Sequence, residues 1–243
     1  MSDCCLKGFK WGGTPCGKAD KLAGRDCYVT GTNADVAILV LHDLYGWTFS
    51  NIRLLANHYA EEVNATVYVP DLFGGEVLSV EIINDQSRWG ELNLPDFLKR
   101  NSKEIRTREI FECAQDLRTK HKKTGAIGFC FGGWGAFRLG AKDRSLVDCI
   151  SVAHPTNLEK DEILNINVPV QIMAPEFDPM FTEELKVYSN QTIPTLGVPY
   201  DYQFFPGIEH AFAVRGNPKN PEEQKGLERA KNCAVFWFRQ WLH

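Results

Sequence analysis

The segment Gly128-Phe129-Cys130-Phe131-Gly132-Gly133 decides how the middle of this chain folds. It follows two apolar residues and precedes residues 134–139, which have the spacing of a helix. The glycines on either side of Cys130 permit a tight turn from strand to helix with the cysteine at its apex. There the side chain projects into a cleft, and the positive N-terminal end of the helix favours a thiolate. The alternative interpretation is a buried cysteine in a glycine-rich turn.

The composition excludes several classes of protein. The chain has 243 residues, of which 44% are hydrophobic, enough for one α/β domain or two small ones. Charged residues make up 24% and the net charge is −4, so no basic cluster points to a nucleic acid partner. Residues 1–7 lack the apolar core of a signal peptide, and no apolar run approaches membrane-spanning length. We therefore expect a cytoplasmic protein with neither nucleic acid nor membrane as a partner.

The 8 cysteines are interpreted as reduced thiols, because no export signal places the chain in an oxidising compartment. Four of them lie near the start of the chain: Cys4, Cys5, Cys16 and Cys27. They lack the paired spacing typical of a zinc site. We expect no metal there.

Strand and helix patterns alternate along the chain. Val36–Leu41 is wholly apolar, as is typical of a strand buried on both faces, and residues 149–153 (Cys149–Ala153) and 168–174 are predicted to be two further apolar strands. Residues 81–89 and 95–122 have helical spacing, the second with a break near Asn101. The alternation predicts an α/β fold with a mostly parallel central sheet and helices on both faces. In such sheets ligands bind at the carboxyl ends of the strands.

Two further titratable residues follow predicted strands. Asp178 comes after the strand at 168–174, and His210 comes after one at 200–205. The order Cys130, Asp178, His210 is the nucleophile, acid, histidine order of an α/β-hydrolase triad. In that hypothesis the histidine carries the proton of the thiol, and the aspartate fixes the imidazole tautomer.

Each residue has another interpretation. Asp178 precedes a proline and could cap the next helix, and His210 could be a loop histidine bonded to a carbonyl. His154, which follows Cys149–Ala153, is a rival base, but it precedes Asp178 in the chain, which is the wrong order. It could still line the pocket.

An acyl-transfer enzyme also needs donors for the oxyanion that forms during attack. In this fold they are backbone N–H groups, one from the residue after the nucleophile and one from the loop after an early strand. The sequence places Phe131 and Leu44 at these two positions.

Several segments together resemble the dienelactone hydrolase (carboxymethylenebutenolidase) family. They are the hexapeptide around Cys130, Glu176-Phe177-Asp178, Glu209-His210-Ala211-Phe212 and the loop of residues 42–46. Residues 11–15 (Trp-Gly-Gly-Thr-Pro) and 94–99 (Leu-Pro-Asp-Phe-Leu-Lys) are similar to the eukaryotic branch. The resemblance implies one α/β-hydrolase domain over residues 1–243 with no large cap domain. It also implies no metal, no cofactor, and hydrolysis of small esters or lactones.

The resemblance also implies roles for Asp43 and Arg215. A glutamate in the bacterial enzymes occupies the position of Asp43 and controls the protonation of the thiol until an anionic substrate binds. Here the side chain is shorter, which changes that geometry. Arg215 could pair with a substrate carboxylate or with Asp43, or lie solvated in its loop. A second substrate-binding arginine is expected before the elbow, and the sequence does not choose among four candidates: Arg88, Arg100, Arg106 and Arg108.

The main hypothesis is a hydrolase that cleaves small lactones or carboxylic esters through Cys130, His210, Asp178 and an acyl-enzyme. A second hypothesis is a non-catalytic hydrolase scaffold that binds a small ligand. A third is a thioesterase, or a protein in which Cys130 is a redox-sensing thiol. The sequence leaves the physiological substrate and the oligomeric state open.

Overall fold

Eight β-strands of one sheet organise the chain. The computed structural model describes residues 12–83, 86–216 and 220–243. The strands are β1 (Lys18–Leu22), β2 (Arg25–Thr30), β3 (Val36–Leu41), β4 (Thr66–Pro70), β5 (Lys123–Phe129), β6 (Cys149–Ala153), β7 (Val170–Phe177) and β8 (Tyr200–Glu209). Their order across the sheet is β1-β2-β4-β3-β5-β6-β7-β8. The β1–β2 and β2–β4 pairs are antiparallel and the others are parallel.

The helices pack on this sheet in two groups. They are α1 (Ser50–Val63), α2 (Val80–Ile83), α3 (Leu94–Arg100), α4 (Lys103–Lys120), α5 (Gly132–Leu139), α6 (Lys160–Leu164), α7 (Glu183–Thr192), α8 (Phe212–Arg215) and α9 (Pro221–Leu242). Helices α1, α8 and α9 pack together, while α5 lies between α4 and α6, and α6 contacts α7. Two 3-10 helices cover Gln86–Leu92 and Ile193–Leu196. The predicted α/β-hydrolase fold with a mostly parallel sheet is confirmed.

The centre of the sheet is formed by strands that are buried along their whole length. Every residue of β3 is buried, and β3 lies between β4 and β5. All of β6 is also buried, with Ser151 as its one hydroxyl residue, which donates to Gln171 on β7. Because helices cover both faces of these strands, the alternation of apolar and polar residues seen in half-exposed strands is absent.

The structure corrects some sequence-based boundaries. The single helix predicted over residues 81–89 is wrong, because α2 ends at Ile83 and a 3-10 helix covers Gln86–Leu92. The predicted break near Asn101 is confirmed: α3 ends at Arg100 and α4 begins at Lys103. Strands β7 and β8 extend beyond their predicted ends, to Phe177 and Glu209.

The β1–β2 hairpin at one edge of the sheet has no counterpart among the predicted elements. Only Leu22 of β1 is buried, so this strand shows neither an apolar run nor a regular alternation. Backbone pairing with β2 holds it in place. Edge strands of this kind give little hydrophobic signal.

Most cysteines of the described residues lie in the core. Cys27, Cys113 and Cys149 are buried free thiols. Burial raises the pKa of Cys113 to about 12 and raises those of Cys27 and Cys149 well above the usual value. Cys4 and Cys5 lie outside the described residues.

Two features, a metal-binding cluster and a membrane-spanning helix, are absent from the described residues. These residues contain no group of three or more His, Cys, Asp or Glu that could hold a metal ion. None of their helices is long and apolar enough to cross a membrane.

The contact between β5 and α9 provides a test of the packing. A Cβ at Gly125 would lie 2.7 Å from the Phe238 ring and 3.1 Å from Leu242. Gly125→Ala should therefore lower the free energy of unfolding by about 1–3 kcal/mol through overpacking. Gly90→Ala is the control, because a Cβ there meets nothing within 4 Å and the change should stay within about 0.5 kcal/mol. Urea denaturation measures both, and equal effects at the two positions would contradict the observed packing.

Candidate active site

The turn between β5 and α5 holds Cys130 in a strained conformation. Its φ is +48°, in the left-handed region that residues with a side chain rarely adopt. A Cβ at Gly128 would collide with the carbonyl of Gly132, and one at Gly132 would collide with the carbonyl of Leu41. A Cβ at Gly133 would likewise collide with Pro155. The turn therefore requires the three glycines, as the sequence predicted for a nucleophile elbow.

Backbone hydrogen bonds attach the elbow to the loop that follows β6. The N–H of Cys130 donates to the carbonyl of Ala153 at 3.2 Å, and the N–H of Thr156 donates to the carbonyl of Cys130 at 2.9 Å. The Cys130 side chain is buried. Within the described part of the chain its thiol makes no hydrogen bond, and the backbone bonds to Ala153 and Thr156 position the residue.

Asp178 and His210 are hydrogen-bonded to each other at the carboxyl ends of neighbouring strands. Asp178 directly follows β7 and His210 directly follows β8. Nδ1 of the imidazole lies 2.9 Å from Oδ1 of the carboxylate, and both side chains are fully buried. The same oxygen accepts the backbone N–H groups of Met180 at 2.8 Å and Phe181 at 3.0 Å.

The interpretation of Asp178 as the cap of the next helix is wrong, because the N-cap of α7 is Thr182, whose hydroxyl accepts the N–H of Leu185. The carboxylate accepts N–H groups from the turn after it, and it also orients the histidine. A carboxylate at Nδ1 holds the proton on that nitrogen, so Nε2 is the ring atom that can exchange a proton with a nucleophile.

A small pocket of about 60 Å³ opens onto Cys130. It is lined by Leu44, Leu98, Cys130, Phe131, Thr156, Asn157 and Met180. Both residues predicted to supply oxyanion N–H groups, Phe131 and Leu44, thus lie around the cysteine. That their backbones bind an oxyanion stays a prediction.

Four of the pocket residues were not identified from the sequence. They are Leu98, Thr156, Asn157 and Met180. They come from α3 and from the loops after β6 and β7. Leu98 lies in the segment 94–99 that is similar to the eukaryotic branch, and the other three belong to no motif identified in the sequence. Asn157 has a φ of +53°, in the left-handed region, a backbone conformation that the structure shows and the sequence did not indicate.

Asp43 and Arg215 form a buried ion pair. Nε of Arg215 lies 2.9 Å from Oδ2 of Asp43, and their side chains are 1% and 0% exposed. Oδ1 of Asp43 accepts the N–H of Tyr45 at 3.0 Å, and the guanidinium carbon lies 4.7 Å from the centre of the Tyr45 ring. Of the partners predicted for Arg215, the structure shows Asp43; contact with a substrate carboxylate stays a prediction.

The four arginines that compete for a substrate role before the elbow are each paired with a glutamate. The pairs are Arg88–Glu91, Arg100–Glu76, Arg106–Glu109 and Arg108–Glu112. Arg106 also donates to Asn101 at 3.0 Å and is the only one of the four that is buried. None of the four lines the pocket at Cys130.

His154 lies against His210 without replacing it. The ring centres are 4.8 Å apart and His154 is fully buried, with a φ of +41°. Neither of its ring nitrogens has a hydrogen-bond partner among the described residues. Burial, and then the positive charges of His210 and Arg215, hold its pKa well below the usual value. His154 is therefore a neutral neighbour, while His210 carries the bond to Asp178.

Comparison with known proteins gives a family. The sequence model of the Dienelactone hydrolase family matches residues 26–242. The chain is 28% identical over 246 residues to the hydrolase tropI of Talaromyces stipitatus, covering 98% of this chain and 96% of the relative. It is 30% identical over 249 residues to the hydrolase pyvD of Aspergillus violaceofuscus, covering 99% and 97%.

More distant relatives agree with these matches. A human carboxymethylenebutenolidase homolog is 25% identical over 222 residues, covering 88% of this chain and 87% of the relative. Among solved structures, a putative dienelactone hydrolase from Klebsiella pneumoniae superimposes with a TM-score of 0.67 at 14% identity. That superposition covers 89% of this chain and 93% of the other, and it shows the same fold.

The buried Asp43–Arg215 pair should contribute strongly to stability. Arg215→Met leaves the Asp43 carboxylate buried without its cation and should lower the free energy of unfolding by about 3–5 kcal/mol. Asp43→Asn with Arg215→Met removes both charges and should cost less than the sum of the two single changes. Chemical denaturation of the four proteins of this cycle measures the coupling. Strict additivity would show that the two side chains do not interact.

Proposed function

Because the chain belongs to the dienelactone hydrolase family and is therefore a carboxylic ester or lactone hydrolase, we propose that it acts through Cys130, His210 and Asp178. The observation that carries this proposal is the 2.9 Å bond between Asp178 and the Nδ1 of His210, beside an elbow that holds Cys130 at a left-handed φ. Nucleophile, base and orienting acid are then supplied by the carboxyl ends of β5, β8 and β7.

In the first half of the reaction the Cys130 sulfur attacks the ester carbonyl carbon. His210 takes the thiol proton at Nε2, and the Asp178 carboxylate stabilises the resulting imidazolium. The tetrahedral intermediate then collapses, and the C–O bond to the leaving group breaks. His210 gives the proton to the leaving oxygen, and the acyl group stays on sulfur as a thioester. In a lactone the leaving oxygen remains attached to that acyl group.

The oxyanion of the intermediate needs donors near the pocket. We assign this role to the backbone N–H groups of Phe131 and Leu44, which line the pocket with Cys130. A single donor of this kind is typically worth about 10²–10³-fold in rate. Because the donors are backbone groups, side-chain changes at these positions affect the pocket shape more than the oxyanion.

In the second half a water molecule replaces the leaving group. His210 removes a proton from the water, whose oxygen attacks the thioester carbonyl. The C–S bond breaks, the carboxylic acid leaves and the proton returns to the thiolate. Sulfur is itself a good leaving group, so this chemistry suits activated esters and enol-lactones and disfavours amides. The extent of the domain over residues 1–243 and the cytoplasmic location stay predictions.

Loss of the thiol is the direct test of the nucleophile. Cys130→Ala should lower ester hydrolysis by about 10³-fold or more, because no other group can form the thioester. Cys16→Ala is the matched control: this cysteine is exposed, and the change should leave the rate unaltered. Circular dichroism establishes that both variants are folded. Near-normal turnover by folded Cys130→Ala would falsify the assignment.

The acyl-enzyme gives a second, independent readout. Rapid acid quenching during turnover of an activated ester should trap a protein whose mass is increased by one acyl group. Peptide mapping should place that group on Cys130. An acyl group on a different residue during turnover, or a label that persists in Cys130→Ala, would show that another side chain carries the reaction.

A further inference from the structure

We infer that this enzyme selects esters and lactones whose acyl part is electrically neutral, and that it discriminates against a carboxylate on the acyl chain. This inference rests on the proposed function, because it identifies the pocket at Cys130 as the acyl-binding site. It is carried by the neutral lining of that pocket and by the engagement of the nearby arginines in ion pairs.

The described residues that line the pocket offer no charge partner to a substrate. Leu44, Leu98, Phe131 and Met180 form apolar walls. The other lining side chains besides the cysteine, Thr156 and Asn157, are polar but neutral, and the described residues contribute no charged side chain to the lining. An ionised carboxylate that leaves water for such a site loses its hydration and gains no cation in return. An alkyl group of the same size gains from burial instead.

Arg215 is a candidate for a counter-ion, but its charge is already matched. Its guanidinium is 1% exposed, 2.9 Å from Asp43 and beside the Tyr45 ring. A substrate carboxylate that binds Arg215 would share this one cation with the fully buried Asp43. The two carboxylates and one guanidinium would leave a net buried negative charge, which is unfavourable.

The other charged side chains considered for the site are also paired with one another. Asp178 is buried behind His210, and Asp43 is buried in the loop that contains Leu44. Arg88, Arg100 and Arg108 are bound to glutamates away from the pocket, and Arg106 is bound to Glu109 and Asn101. The five arginines that the sequence offered as partners for a substrate carboxylate are therefore already engaged.

The test compares two esters that differ in charge and not in size. p-Nitrophenyl 4-methylpentanoate and p-nitrophenyl hemisuccinate share a leaving group and have acyl parts of equal heavy-atom number. We expect kcat/KM to favour the neutral ester by about tenfold or more, the ratio that a modest uncompensated desolvation produces. Cys130→Ala serves as the blank, because the hemisuccinate carboxylate also attacks its own ester without an enzyme.

A cation placed in the pocket should reverse the preference. Leu98→Lys adds an ammonium to one wall and should shift the ratio of the two kcat/KM values toward hemisuccinate by about tenfold or more. Leu98→Gln is the matched control with similar size and polarity but no charge, and it should leave the ratio near that of the wild type. If Leu98→Lys does not fold, Met180→Lys with Met180→Gln provides the same comparison on another wall.

The outcomes separate this inference from the proposed function. Hydrolysis of both esters with equal or greater preference for hemisuccinate would overturn the inference and leave the Cys130 mechanism standing. An unchanged ratio in folded Leu98→Lys and folded Met180→Lys would show that the acyl group binds elsewhere, which also overturns it. Failure of the folded wild type to hydrolyse either ester would instead reject the proposed function, and the inference with it.

Discussion

The left-handed backbone at Cys130 is the constraint on which the site depends. It is possible because Gly128, Gly132 and Gly133 present no Cβ where the turn passes Leu41 and Pro155. Since β5 lies between β3 and β6, the turn contacts both neighbouring strand ends at once. The loop with Leu44 and the loop with Thr156 are thereby brought to opposite sides of one cysteine. A larger residue at any of the three glycines would move these loops as well as the nucleophile.

Much of this arrangement could be predicted because the informative residues follow apolar strands. Val36–Leu41 and Cys149–Ala153 are buried on both faces, so their sequences indicated parallel central strands directly. Once those strands are parallel, their carboxyl ends meet at one edge, which placed Asp178 and His210 near the elbow. The 2.9 Å bond between these two side chains agrees with that placement.

The features that escaped prediction are those fixed by long-range packing. β1 is stabilised by backbone pairing and buries only Leu22, so its side chains carry no periodic signal. The pocket walls come from segments far apart in the chain, and nothing in the sequence around Leu98 or Met180 indicates that these side chains line a pocket. For Arg215 the sequence offered several partners, and only the three-dimensional structure shows that its guanidinium forms an ion pair with Asp43. A local sequence pattern predicts secondary-structure elements and where they end, but it does not predict which side chains of different elements contact each other.

The Asp43–Arg215 pair has a consequence for motion within the site. It joins the loop after β3 to α8, and a hydrogen bond from Asn51 on α1 to the carbonyl of Val214 supports the same junction at 3.0 Å. The Leu44 side of the pocket is thus held to two helices by an ion pair and a hydrogen bond. On another wall, Met180 is only partly buried and has three rotatable bonds, so its side chain can take several rotamers without breaking such a contact. We therefore expect acyl groups of different shape to be accommodated at Met180 rather than at Leu44.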